Sequence, residues 1–97
     1  MAGELYHERG RLCCRGCQEE GILINLWEHP ANNPSGSMLS NRGRVVGQVA
    51  HNTQVQITRR CWVAGEGRYY YYVYADTGQQ GWVPNSFVEF GSGECRW

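Results

Sequence analysis

Ninety-seven residues, 41% of them apolar or aromatic, suffice for one domain with one modest core, because a chain of this size buries only about two-thirds of the surface its unfolded form exposes. Nine basic side chains balance nine acidic ones, so no net field gathers nucleic acid or anionic lipid, and electrostatics alone names no partner. The longest uncharged apolar run, Gly21 to Trp27, is far short of the ~20 residues a membrane-spanning helix needs, which argues against membrane insertion.

In chain order, residues 1–20 read as a polar leader carrying Cys13, Cys14 and Cys17. Glu4, Glu8, Arg9, Arg11, Arg15 and Glu19 stand where an export signal would need an apolar stretch, so the expected setting is cytoplasmic. The five cysteines are odd in number and two are adjacent. Without an export signal they read as thiols or metal ligands before disulfides.

The body opens with Gly21-Ile-Leu-Ile-Asn-Leu-Trp27, rich in large apolar residues, and enters a Pro- and Asn-rich loop from His29 to Gly36. Val45 to Val49 and Thr53 to Thr58 follow as strands around a turn at Ala50-His-Asn52. Val55 and Ile57 share one face of the second, and Gln54, Gln56 and Thr58 share the other, the alternation of a half-buried strand. Gly65-Glu-Gly67 supplies a hairpin turn, Arg68 to Ala75 a strand with five tyrosines, and Asp76-Thr-Gly78 the next turn. Gly81-Trp-Val-Pro84 and Ser86 to Phe90 complete about five short strands without helical periodicity, followed by a tail over 91–97. The expected fold is all-β, a small five-stranded barrel over 21–90, since closure removes exposed sheet edges.

Thr77-Gly-Gln-Gln-Gly-Trp-Val-Pro-Asn-Ser-Phe-Val88 resembles the last hairpin of the SH3 and bacterial SH3-like domains, with a 3₁₀ turn after Pro84, where a proline must lie at a strand end. Leu26 with Pro30, Gly47-Gln-Val49 and Val55-Gln-Ile57 fall in the order of the bacterial branch. The resemblance covers about residues 21–90. It implies an SH3-like barrel in which Trp82, Pro84 and Phe87 help floor a ligand groove. The family's upstream aromatic-acidic motif is missing, with Trp27 and Glu28 as the nearest substitutes, which argues against a proline-rich ligand. The resemblance also makes the first and last strands neighbours, so that Cys95 comes within reach of Cys14 and Cys17.

In the tyrosine strand, Tyr71, Val73 and Ala75 share the face expected to meet the core, which leaves Tyr70, Tyr72 and Tyr74 outside. They serve either as cross-strand pairs or as a contact surface. Cys14-Arg-Gly-Cys17 has the spacing of half a zinc site; with Cys95, and Cys13, His7 or Cys61 as fourth ligand, it would hold a structural zinc, the alternatives being free thiols or a disulfide. His7, His29 and His51 show no pairing signature with a Cys or Ser, and no glycine-rich phosphate loop is present, so an enzyme is not expected. The expected function is that of a non-catalytic binding or assembly module docking a protein or peptide through Trp82, Pro84, Phe87, Tyr70 and Tyr72. The alternatives are a zinc-stabilised subunit of a larger complex and a nucleic-acid-binding barrel, the last disfavoured by the balanced charge.

Overall fold

A computed structural model describes residues 3–30, 42–91 and 93–95, without the side chains of residues 18 and 19. The loop expected over 29–36 lies mostly outside the described residues. Seven strands form one antiparallel sheet: β1 (Glu4–Leu12), β2 (Ile24–Trp27), β3 (Val45–Val49), β4 (Thr53–Val63), β5 (Arg68–Ala75), β6 (Gln80–Pro84) and β7 (Val88–Phe90). A single-turn helix, α1 (Cys17–Glu20), lies between β1 and β2, and a 3₁₀ turn at Asn85–Phe87 follows Pro84. The sheet order is β3-β2-β6-β5-β4-β1-β7, with β3 and β7 as its two edges.

All-β architecture is therefore as expected, but the five-stranded barrel is corrected to a seven-stranded sheet that the pairing of the described residues does not close. The added strand is Glu4–Leu12, whose charges suggested a loose leader: it pairs with β4 from Glu4 to Leu12, with an irregularity between Leu5 and Glu8, and with β7 at Gly10 to Leu12. Its charges are accommodated because most of its side chains stand in solvent, while Gly10 and Leu12 are buried.

Alternation sorts the side chains onto two faces. One face carries the main core: Leu12, Ile24, Leu26, Val49, Val55, Ile57, Tyr71, Val73, Ala75 and Val83. Tyr71, Val73 and Ala75 occupy it as their spacing requires. The opposite face carries a second, smaller cluster of Val63, Tyr70 and Trp82, flanked by Trp27, Cys61 and Tyr72. β2 meets β6 at one backbone pair, Trp27 with Trp82, whereas the β4–β5 ladder runs from Val55–Ala75 to Val63–Arg68. Gly81 permits this seam: a Cβ there would lie 2.7 Å from the Leu26 Cβ, closer than packed carbons approach.

Candidate functional site

The aromatic residues expected to form the docking surface are divided by burial. Trp82 is 2% exposed and Tyr70 0%, and Pro84 is buried beside Tyr70, with which it pairs. These three are core residues, which corrects their expected role in an exposed groove. Trp82 is sealed by the Tyr72 ring, edge-on at 5.3 Å, and by the chain at Gly3, where a Cβ would come within 2.9 Å of the indole Cη2. The Tyr70 hydroxyl donates to both oxygens of Glu66, at 3.0 and 3.1 Å. Burial first, and then this bond to a carboxylate, hold its phenol above the ordinary tyrosine value of 10.0. Tyr72 and Phe87 remain half-buried, and Tyr74 is exposed with its ring edge-on to Tyr72.

What stays open is a cleft of about 580 Å³ beside the second cluster. Trp27 and Tyr72 give it two aromatic walls, Glu28 a carboxylate, and the turn Thr77 to Gln80 a polar rim. Gly81 also lines it. The turn is fixed from two sides: the Ala75 N–H donates to the Gln79 carbonyl at 2.8 Å, and the Gln48 N–H donates to Gln79 Oε1 at 2.9 Å. Glu28 lies 3.8 Å from the Arg44 guanidinium and 3.7 Å from His29. The Arg42 guanidinium carbon sits 4.6 Å from the centroid of the Trp27 ring, so the indole already receives a cation from the chain itself. Trp27 and Glu28, the nearest sequence substitutes for an aromatic-acidic motif, are thus adjacent walls of one cleft.

Trp62 (53% exposed) and Phe90 (46%) extend the main-core face into solvent, Trp62 edge-on to Tyr69 and Phe90 edge-on to Tyr6 and Tyr71. Nearby, the Arg60 guanidinium lies 4.9 Å from the centroids of both Tyr6 and Tyr69 and pairs with Glu4 at 2.6 Å. No local pattern signals this extension: the irregularity in pairing between Ile57 and Arg59 interrupts the β4 alternation and carries Arg60 and Trp62 onto the face of Tyr69 and Tyr71.

The cysteines of the expected zinc set are bonded to one another. Cys13 joins Cys95 and Cys14 joins Cys17, with Cα separations of 5.7 and 5.3 Å, so none of these sulfurs is a thiolate donor in this state. Among the described residues, no group of three or more His, Cys, Asp or Glu is placed to hold a metal. Cys95 does reach the Cys13–Cys17 segment, though because β7 pairs with β1, not because β7 borders β2. His7 is an exposed residue of β1, and Cys61 is a half-buried free thiol in β4 whose pKa burial pushes up. The histidine at the cysteines is instead His51, whose Nδ1 accepts the Cys14 N–H at 3.0 Å. Asn52, at a φ of 76° that asparagine tolerates, accepts the Cys95 N–H on Oδ1 at 3.1 Å and the Arg11 guanidinium on its carbonyl at 2.9 Å. One turn thus anchors both arms of the cysteine centre.

Among the described residues, no helix is long and apolar enough to cross a membrane. No family model, no curated protein and no solved structure matches this chain.

Proposed function

We propose that this chain is a binding or assembly module that docks an extended protein or peptide segment through an aromatic surface, with the Trp27–Tyr72 cleft as its seat. The carrying observation is the convergence of two half-buried aromatic rings and the Glu28 carboxylate on one concavity. Rigid aromatic walls offer large contact area at little entropic cost, and a carboxylate beside them selects a basic side chain. The stacking of Arg42 on Trp27 is an internal example of the contact such a ligand would make. The sheet is read as an elaborated SH3-like domain to which β1 adds a strand, and the Gly81-Trp-Val-Pro84 strand followed by its 3₁₀ turn supports that reading.

The test is an NMR titration with extended peptides that carry a single arginine, each compared with its glutamate counterpart. Shifts should concentrate on Trp27, Glu28, Tyr72 and Gln79, and Glu28→Lys should weaken binding by about tenfold, or ~1.4 kcal/mol. Shifts centred on Trp62 and Phe90, or affinity unaffected by Trp27→Ala, would remove the cleft from consideration.

A further inference from the structure

The two disulfides lie side by side in sequence, and each joins a buried cysteine to a half-buried one, Cys13 to Cys95 and Cys17 to Cys14. They differ in the loop they close: a separation of 82 residues for Cys13–Cys95 and of three for Cys14–Cys17. A cross-link over so short a loop removes little freedom from the unfolded chain, so the fold depends on it far less than on its neighbour. The two sulfurs of the short pair are also unequal, since Cys17 is 6% exposed and begins α1, whereas Cys14 lines an open depression of about 370 Å³ with Cys13, Arg15, Ser86 and Phe87. A substrate segment resting in that depression would meet the Cys14 sulfur first. The main chain at Cys13 and Cys14 is held by contacts other than the short pair's own bond: the Cys14 N–H donates to His51, the Cys13 N–H donates to the Phe87 carbonyl at 2.8 Å, and Cys13 is tied to Cys95. Opening the short pair therefore leaves the backbone at Cys14 in place.

We infer that Cys14–Cys17 is an exchangeable disulfide, which oxidises a dithiol on a protein or peptide substrate and can be re-formed by the reverse reaction with a disulfide. A substrate thiolate attacks Sγ of Cys14; the Cys14–Cys17 bond breaks, and Cys17 leaves as a thiolate and takes up a proton. The substrate's second thiolate then attacks its own sulfur in the mixed disulfide, which releases Cys14 as a thiolate that is protonated in turn. Two electrons and two protons have passed from the substrate dithiol to the protein, and the substrate carries the new disulfide. Phe87 and Ser86 form the substrate-side wall, and His51 is a positioning residue that fixes the Cys14 backbone. Cys61, half-buried and with its thiol pKa raised, stands outside this chemistry.

The full chain, oxidised, is mixed with a synthetic peptide bearing two cysteines, and alkylation with mass spectrometry follows each thiol. Cys14 and Cys17 should become alkylatable as the peptide disulfide forms, with Cys13 and Cys95 still protected. Cys17→Ser, incubated with oxidised glutathione, should trap a mixed disulfide on Cys14 with release of one reduced glutathione. Phe87→Ala should slow the peptide reaction about tenfold while leaving the reaction with glutathione within about twofold, a split that a merely structural role would not give. Cys61→Ser should leave the rates unchanged. The C14S/C17S variant retains Cys13–Cys95, so an unchanged circular dichroism spectrum separates loss of exchange from loss of fold. Peptide oxidation equally fast in that variant, or opening of Cys13–Cys95 before or together with Cys14–Cys17, would overturn the inference.

Discussion

The long central strands β4 and β5 are flanked by neighbours held in two different ways. On one side, β1 is laddered to β4 from Glu4–Arg60 to Leu12–Thr53, borders β7, and is followed by the buried Cys13, bonded to Cys95 of the tail. On the other, β2 touches β6 at the single pair Trp27–Trp82, and the join is completed by packing: Leu26 and Ile24 in the main core, Trp27 against Trp82 and Tyr72 on the opposite face. The first side is secured by backbone bonds and a covalent link, the second by side-chain shape. Shape leaves openings, and the aromatic cleft lies at this second join.

The contrast is sharpest in what each side loses when its key element is removed. Replacing both Cys13 and Cys95 by Ala should cost the most, roughly 4–5 kcal/mol for a loop of this length, read as a lower denaturant midpoint. Trp82→Ala should come next at about 3–5 kcal/mol, because the indole is core and not a contact surface; a fold left intact by this change would break the comparison. The C14S/C17S change should cost no more than about 2 kcal/mol, although it lies on the covalent side, which distinguishes the fastener from its neighbour. The smallest effect concerns Tyr70. Its folded pKa is raised above the ordinary 10.0, so its contribution is complete below about pH 10 and is lost as pH rises through the raised value. The stability difference between wild type and Tyr70→Phe should therefore stay constant through neutral pH and change, against wild type, only in alkaline denaturation series; a difference that varies with pH near neutrality would contradict the assigned cause.

The strands from Ile24 onward were legible because Val55 with Ile57, and Tyr71 with Val73 and Ala75, alternate cleanly against one core. The first strand was not, because its outward charges mask an inward set of only Tyr6, Gly10 and Leu12, interrupted by an irregularity in pairing between Leu5 and Glu8. The aromatic site was half legible. Alternation placed Tyr70, Tyr72 and Tyr74 on the outer face, and the family resemblance placed Trp82 in a groove, but neither says that this face has a small core of its own, and only that core buries Tyr70 and Trp82. Trp27 and Glu28 were visible as substitutes for a missing motif, while the adjacency that joins them to Tyr72 depends on the β2–β6 pairing, which no local pattern encodes. Cysteine connectivity was the least legible feature. Spacing alone admits a metal half-site or a bonded pair, and the placement of Cys95 against Cys13 depends on the unforeseen β1–β7 contact.

The Cys13–Cys95 bond also changes what kind of object the chain is. The segment from Cys13 to Cys95 is closed on itself by this bond, a separation of 82 residues, so that part of the molecule is topologically a macrocycle. A single backbone nick anywhere inside that circle yields two pieces that travel as one particle until a reductant separates them, and a nicked copy refolds as a unimolecular event.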